Sequence, residues 1–367
     1  MKFTVVTNSP GCLVYYHRLF ESEILKGVDV DFVFPREQQE WFAISYKQLP
    51  GAGYYPVKSS NDIPKKFIEE VDIVVTGTDY GRSLDYSVDK LGYAAGKPRM
   101  FAVDFWSALE ERCKNYTMHN SLVLVPNEYA GKLLCSFGIA EEYIFVLGQP
   151  EFERLLVMSV DEIYDKQKDF RSARNIPDNV TVMTFYSQPY SDYKQRYHLD
   201  ALNMLEYDVM GFNELTVFEN ILNAVATSKN RNDIKLYLKT HPAETMGKFD
   251  MILNKFSFLN VEITSEAKDQ LLFGSDANIG MHSSILVESL MLGKPAISVQ
   301  IGKKYHGRDY FITNELGITK SILFREELAE MFSSLSWPVV ENRNIMDIPL
   351  NSAERFLNAV DLLQGRK

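Results

Sequence analysis

The sequence alternates short apolar runs with stretches of helical periodicity, and the alternation occurs in two series. The first series contains strand-like runs at residues 3–6, 28–33 and 71–77, and the second begins with VTVMTFYSQ at residue 180. Apolar strands that are each followed by a helix are typical of parallel sheets covered on both faces. We therefore predict an α/β protein with two Rossmann-like domains facing a central cleft.

The length of 367 residues agrees with two domains, since one core usually organises roughly 150 residues. We predict a first domain over residues 1–160 and a second over residues 180–350, joined by a charged linker helix at 161–179. Residues 351–367 have helical spacing and can pack back on the first domain.

Charge and cysteine content exclude several classes of protein. The chain has 39 Lys and Arg against 49 Asp and Glu, so its net charge of -10 offers nucleic acid no general attraction. Its three cysteines form no CxxC pair, and no apolar run reaches the length of a membrane span. We expect a cytoplasmic protein, with association at the inner face of the membrane left open.

Parallel sheets bind ligands beyond the carboxyl ends of their strands, so residues at strand ends receive most weight. The run KLYLKTHP ends in Lys239, His241 and Pro242, and the proline holds His241 in an extended conformation. Ser283 and Ser284 precede a helix, where hydroxyl and free N–H groups can bind an anion. The sequence thus predicts a phosphate site, although simple helix capping would also explain the two serines.

This His-Pro and Ser-Ser arrangement, followed by Glu288 and a Gly-Lys-Pro turn at 293–295, resembles the nucleotide half of GT-B glycosyltransferases. It looks most like bacterial sialyltransferases, polysialyltransferases and capsular Kdo transferases. It is also similar to teichoic-acid polymerases and UDP-GlcNAc 2-epimerases. The motifs occupy about residues 233–300, and the remainder of the chain agrees in architecture only.

The resemblance implies roles for these residues. His241 would contact the donor phosphate, Ser283 and Ser284 would bind phosphate oxygens, and Glu288 would hold ribose hydroxyls, unless it is a solvated helix residue. Ser187 and Gln188 follow the first strand of the second series and join the predicted nucleotide site, although turn chemistry alone would explain them.

Two aspartates at strand ends of the first domain compete as catalytic base. Asp79 lies in Asp-Tyr-Gly, a partial match to the acidic motif of the sialyltransferase-like families, and Asp104 lies between an apolar strand and two aromatic residues. We favour Asp104, because Arg82 would hold Asp79 ionised with a depressed pKa. Either aspartate could instead cap the next helix. Arg82, Trp106 and Gln149 are predicted on the acceptor side of the cleft.

These patterns favour an inverting, metal-independent glycosyltransferase that needs no cofactor. We expect a CMP-linked acidic sugar as donor, with a UDP-linked sugar next, and a surface glycan or glycolipid as acceptor. Two alternatives are a UDP-sugar 2-epimerase and a non-catalytic two-lobed protein that binds a nucleotide or glycan. The sequence identifies no metal ligands and leaves the oligomeric state undecided.

Overall fold

The computed structural model describes residues 1–79, 83–192, 211–241, 244–303 and 311–365. The chain forms two compact units: the first comprises Met1–Leu155 and Met346–Lys367, and the second comprises Leu156–Ile345. Each unit is built around a parallel sheet with helices along its connections. The predicted α/β fold with two Rossmann-like sheets is confirmed.

The sheet of the first unit has seven parallel strands among the described residues. They are β1 (Lys2–Val6), β2 (Asp29–Pro35), β3 (Gly53–Val57), β4 (Ile73–Thr76), β5 (Arg99–Ala102), β6 (Ser121–Val125) and β7 (Ile144–Val146). Their order is β3-β2-β1-β4-β5-β6-β7. The order reverses between β1 and β4, and such a switch point is where open α/β sheets bind ligands.

Helices in the described part of the first unit cover both faces of this sheet. They are α1 (Pro10–Phe20), α2 (Gln39–Ser45), α3 (Lys66–Glu69), α4 (Leu84–Ala94), α5 (Leu109–Cys113), α6 (Glu128–Ser136) and α7 (Pro150–Leu156). Val5 packs in the core cluster that includes α1, whereas its neighbour Val6 packs in a second cluster with Val88 of α4. This alternation follows from the two-residue period of a strand.

The sheet of the second unit repeats the same topology. Its described strands are β8 (Thr181–Tyr186), β9 (Ile234–Lys239), β10 (Val261–Ile263), β11 (Ala277–Gly280), β12 (Ala296–Val299) and β13 (Lys320–Ile322). They are parallel, in the order β10-β9-β8-β11-β12-β13. The switch point therefore lies between β8 and β11.

The helices described in the second unit follow the strands in sequence. They are α8 (Val160–Ala173), α9 (Glu214–Thr227), α10 (Asp250–Lys255), α11 (Lys268–Gly274), α12 (Ser284–Met291), α13 (Ile312–Glu315) and α14 (Arg325–Ser334). Helix α9 buries Phe218, Ile221 and Val225 in the core, in agreement with the apolar periodicity of its sequence.

The range 161–179, predicted as a linker helix, contains most of α8, which is an integral part of the second unit. Ile163 and Phe170, seven residues apart, form its buried face, and Arg171 pairs with Asp276 at 2.6 Å. The charged residues that suggested a linker occupy the opposite, solvated face. The division between the units falls between Leu155 and Leu156 rather than at residues 161–179.

The C-terminal helix, α15 (Ser352–Gln364), belongs to the first unit. It buries Phe356, Val360 and Leu363 in the core cluster that contains α1. The rings of Phe356 and Phe3 lie 5.5 Å apart, which ties the end of the chain to its first strand. In the described ranges, no helix combines the length and the apolar character needed to cross a membrane.

Candidate functional site

At the switch point of the first sheet, Asn8 and Asp79 are joined by a hydrogen bond. The Nδ2 of Asn8, which follows β1, donates to Oδ2 of Asp79, which follows β4, at 2.5 Å. Both residues are half-buried. The carbonyl of Asn8 in turn accepts from Nε2 of Gln38 at 2.6 Å. The Asp79 carboxylate is thus held at the place where this sheet is expected to bind a ligand.

Asp104, at the end of β5, forms an ion pair with Arg112 of α5. The guanidinium is buried, and it also donates to the carbonyl oxygens of Thr78 at 3.0 Å and Phe105 at 3.1 Å. Burial lowers the pKa of Arg112, but the charge and hydrogen bond of Asp104, together with the neighbouring Cys12 and Cys113, outweigh burial and the pKa is raised. Arg112 therefore stays charged and holds Asp104 in place.

The structure removes two arguments made from the sequence about these aspartates. Neither caps the next helix, because Ser83 caps α4 with its side chain and Ala108 occupies the cap position of α5. The preference for Asp104 as base assumed that only Asp79 had a cationic neighbour. The ion pair with Arg112 shows that Asp104 has a cationic neighbour as well.

A third carboxyl group, that of Asp85 in the first turn of α4, was not predicted from the sequence. Its side chain is fully buried, and burial followed by the charge of Asp79 raises its pKa well above the usual value. A signal was available, because Asp85, Val88, Asp89 and Gly92 recur at helical spacing and all face the interior. We name the set Asp79, Asp85 and Asp104 the acidic cluster.

Gln149 and Trp106, predicted on the acceptor side, have structural contacts within the first unit. The Oε1 of Gln149 accepts from the backbone N–H of Glu151 at 2.7 Å, and its Nε2 donates to the carbonyl of Asp104 at 3.3 Å. Trp106 is buried, donates to Asn127 at 3.0 Å and stacks on Phe152. Gln149 thus holds the backbone of Asp104, and the indole of Trp106 packs in the interior of the unit.

In the second unit, Glu244 connects the ends of β8 and β9. Its Oε1 accepts from the hydroxyl of Ser187 at 2.5 Å and its Oε2 from the backbone N–H of His241 at 2.8 Å. Burial raises the pKa of Glu244, while the hydrogen bonds from Ser187 and Lys248 oppose that rise. Ser187, predicted in the nucleotide site, therefore donates its hydroxyl hydrogen bond to Glu244, a carboxylate that was not predicted from the sequence.

Lys248 is the cation that balances this carboxylate. Its Nζ lies 3.0 Å from Glu244, 2.9 Å from Asp192 and 2.6 Å from Glu214, which is fully buried. Lys248 and its three carboxylate partners fix the turn after β9 relative to the chain after β8. They place the half-buried His241 at the carboxyl edge of the sheet.

At the switch point of the second sheet, Gln188 holds the segment that follows β11. Its Oε1 accepts from the backbone N–H of His282 at 2.8 Å. The imidazole of His282 contacts the hydroxyl of Tyr190 at 3.2 Å and Nε2 of Gln300 at 2.9 Å. His282, which the sequence analysis left without a role, is therefore held from both ring nitrogens.

Ser283 caps α12, with its hydroxyl accepting from the N–H of Ile285 at 3.4 Å, and Ser284 is exposed in the first turn. The capping alternative for Ser283 is thus observed, and the same helix N-terminus keeps its dipole available to an anion.

Arg82 and Pro242, both predicted at the site, lie outside the described residues.

Glu288 projects from α12 into the interior, so it is not a solvated helix residue. It is 5% exposed, and its Oε2 accepts from Nζ of Lys268 at 2.6 Å. Lys239, at the end of β9, is half-buried, and burial lowers its pKa while the charge of Glu266 opposes the change. The second unit therefore combines a helix N-terminus, a paired buried carboxylate and a desolvated lysine.

Comparisons with solved structures find the same architecture at low sequence identity. UDP-GlcNAc 2-epimerase from Neisseria meningitidis, bound to UDP-GlcNAc, has a TM-score of 0.65 at 13% identity, over 100% of both chains. UDP-GlcNAc 2-epimerase from Methanocaldococcus jannaschii has a TM-score of 0.64 at 13% identity, over 98% of this chain and 99% of that one. The wall teichoic acid polymerase TagF has a TM-score of 0.57 at 13% identity, over 99% of this chain and 88% of that one.

These likenesses show that the chain has a GT-B-like fold, as its sequence motifs predicted. They do not extend to the sialyltransferase, polysialyltransferase or Kdo transferase families that the motifs resemble most. No protein-family model matches the sequence, and a search of curated proteins finds no match.

Proposed function

We propose that the protein is an enzyme that acts on a nucleotide-activated sugar and transfers the sugar to an acceptor hydroxyl. The observation that carries the proposal is the arrangement of strand ends in the second unit. Gln188 holds the segment that begins α12, and Glu244 holds Ser187 and His241 beside it. Strand ends and a helix N-terminus at one switch point are the usual elements of a nucleotide site in this class of fold.

The second unit would bind the nucleotide and stabilise it as it leaves. The N–H groups at the start of α12 would face the phosphate, and the imidazole of His241 would donate to an oxygen that gains negative charge. Glu288, already oriented by Lys268, would accept hydrogen bonds from the ribose hydroxyls. No metal ion is required for this charge balance, so we propose metal-independent chemistry without a cofactor.

The first unit would supply the base. Asp79 would take the proton from the acceptor hydroxyl while the acceptor oxygen bonds to the anomeric carbon. The bond from that carbon to the phosphate oxygen breaks, and its electron pair leaves with the nucleotide. A single displacement of this kind inverts the anomeric configuration. Asp104 is a weaker candidate for the base, because its carboxylate is committed to Arg112.

The proposed donors are CMP-linked acidic sugars and UDP-linked sugars, and the proposed acceptor is a surface glycan or glycolipid. The Neisseria epimerase is bound to UDP-GlcNAc, which supports including UDP-GlcNAc among the UDP-linked donors. The likeness to a teichoic acid polymerase supports transfer to a polymer acceptor.

A second candidate function is 2-epimerisation of a UDP-sugar. The observation in its favour is the likeness to UDP-GlcNAc 2-epimerase over the full length of both chains. Epimerisation needs acid and base groups around one carbon, and the acidic cluster provides three carboxyl groups in one region of the first unit.

The deciding experiment incubates the protein with CMP-, UDP-, GDP- and CDP-linked sugars, with and without glycan acceptors, and follows nucleotide release and sugar isomerisation. Release of CMP or UDP by wild type that is lost in His241→Ala supports transfer. Formation of an isomerised UDP-sugar supports epimerisation. Binding without turnover would leave only a non-catalytic binding role. Activity that excess chelator abolishes and magnesium or manganese restores would contradict metal independence.

A further inference from the structure

Asp85 is a buried carboxyl group with no ion pair among the residues that the structure describes. It lies in the first turn of α4 at 0% exposure, and neither carboxylate oxygen has a hydrogen-bond partner in bonding geometry among the described residues. Burying an ionised carboxylate without hydrogen bonds is strongly unfavourable. The environment therefore favours the protonated, neutral form of the side chain.

Gly77 and Cys12 pack closely against the side chain of Asp85. A Cβ atom placed on Gly77 would lie 3.0 Å from Oδ2 of Asp85 and 2.7 Å from Sγ of Cys12. Any residue other than glycine at position 77 would therefore collide with this packing. Burial and the charge of Asp104 raise the pKa of Cys12, so its thiol stays neutral and supplies no charge of either sign.

Titratable groups face Asp85 from α1, from the ends of β4 and β5, and from α5 and the segment after it. They are Cys12, Tyr16, Asp79, Asp104, Arg112 and Tyr116. Arg112 is the cation in this set, and it is bonded to Asp104. The charge of Asp79 adds to burial in raising the pKa of Asp85, while the backbone N–H of Asn8 and the charge of Arg112 oppose the rise.

We propose that Asp85 is a positioning residue that holds a proton at neutral pH and thereby keeps a second negative charge away from Asp79. Asn8 links the two groups, since its side chain donates to Asp79 and its backbone N–H faces Asp85. With Asp104 neutralised by Arg112 and Asp85 protonated, Asp79 is the carboxylate whose charge changes in the reaction. The role of Asp79 rests on the proposed function, whereas the proton on Asp85 does not.

The first test measures stability and needs no substrate. Between its ordinary pKa of about 3.9 and its raised folded-state pKa, Asp85 binds more proton in the folded than in the unfolded chain. Stability from this group therefore falls as pH rises. We expect the urea concentration at the unfolding midpoint of Asp85→Asn to rise relative to that of wild type as the pH increases from about 5 to about 8.

Asp89 provides the matched control, one turn further along α4. It is also buried, but it pairs with Arg99 at 2.5 Å. Asp89→Asn should lower the unfolding midpoint, because it leaves a buried guanidinium without its carboxylate. Burial raises the pKa of Asp89 as well, but Arg99 opposes the rise, so the change of midpoint with pH should be smaller for Asp89→Asn than for Asp85→Asn. A loss of midpoint for Asp85→Asn that does not change with pH would overturn the proposal.

The coupling to Asp79 is tested by repeating the comparison in an Asp79→Asn background. Because the charge of Asp79 contributes to the raised pKa, Asp85→Asn should stabilise the Asp79→Asn protein less than it stabilises wild type. An equal gain in both backgrounds would show that the two groups are independent and would overturn the positioning role.

Infrared spectra of aspartate-labelled protein keep the proposal testable if Asp85→Asn does not fold. At neutral pH, wild type and Asp89→Asn should both show the carbonyl band of a protonated aspartic acid. Absence of that band would contradict a proton on Asp85. If the band and the stability effects are present but no nucleotide sugar is turned over, the proposed function fails while the protonated Asp85 stands.

Discussion

Asn8 donates its side-chain N–H to Asp79 across the point where the strand order of the first sheet reverses. Gln188 and His282 make the corresponding contact in the second sheet, with a backbone N–H as donor. Each unit thus uses an amide side chain to bridge the ends of the two strands that flank its switch point. Asp79 in one unit and the start of α12 in the other are the groups fixed by these bridges.

We predict that Asp79→Asn and Asp104→Asn have different effects. Asp79→Asn should lower turnover by about 10²-fold or more with nucleotide affinity and stability kept, because it removes only the base. Asp104→Asn should cost about 3–5 kcal/mol of unfolding free energy, because it leaves the buried guanidinium of Arg112 unpaired. Turnover, nucleotide titration and urea unfolding separate the two effects.

Asp29→Asn is the control for this pair, since Asp29 is exposed at the start of β2. It should change neither turnover nor stability appreciably. Full turnover by Asp79→Asn, combined with inactive but stably folded Asp104→Asn, would reverse the assignment of the base.

We predict that Ser187→Ala weakens the nucleotide site through Glu244. The substitution removes a hydrogen bond to a buried carboxylate, which should cost about 1.5–3 kcal/mol of stability. Nucleotide affinity should fall with it, because Glu244 also fixes the backbone of His241. Glu244→Gln should reproduce the loss of affinity, and unchanged affinity in both variants would argue against a role for this turn.

Lys294 should make stability depend on pH. Its Nζ is buried and donates to the carbonyl oxygens of Phe273 and Ser275 at the end of α11, and burial lowers its pKa to about 8. Between about pH 8 and its ordinary value of about 10.4, the unfolded chain holds more proton, so stability rises with pH. The free energy of unfolding of wild type, relative to that of Lys294→Met, should rise by about 2 kcal/mol between about pH 7 and about pH 9.5.

The comparison with Lys294→Met isolates this group, because cysteine and tyrosine side chains titrate in both proteins. Chemical unfolding at several pH values gives the difference directly. Parallel pH profiles for the two proteins would show that Lys294 titrates normally in the folded state.

Gly274→Ala should destabilise the second unit. An added Cβ would lie 2.2 Å from Cδ1 of Phe170, the residue with which α8 packs on α11. Overpacking of this kind costs about 1–3 kcal/mol of unfolding free energy. Replacing the ring by a smaller side chain, in Phe170→Leu, should recover part of that stability in the double variant. Gly365→Ala, where the nearest atom is 3.4 Å away, is the control and should be nearly neutral in thermal unfolding.

The alternation of apolar runs and helices was enough to predict both sheets, because buried parallel strands leave a strong pattern. It did not reveal β3, whose sequence GYYPV contains a proline and lies at the sheet edge, where burial is partial. It also did not reveal β13, which has three residues and forms the edge of the second sheet. Short edge strands carry little hydrophobic signal.

The rule that strand ends form sites predicts roles for Asp79, Asp104, His241 and Gln188. It could not supply their partners, because those come from other elements: Arg112 from the helix after Asp104, and Glu244 from beyond the turn after β9. The preference for Asp104 as base rested on Arg82, a neighbour of Asp79 in sequence, whereas the ion pair of Asp104 with Arg112 appears only in the folded chain. Ion pairing depends on distances that a linear pattern does not contain.

Nucleotide titration of the wild type and two glutamate variants tests the proposed nucleotide site most directly. Glu288 and Glu262 each pair with a lysine at 2.6 Å, but Glu288 is buried on α12 whereas Glu262 is exposed on β10. In calorimetry, CMP or UDP should bind wild type and Glu262→Gln equally, and Glu288→Gln at least about tenfold more weakly. Failure of every nucleotide to bind wild type, or equal affinity in all three proteins, would contradict a nucleotide site in the second unit.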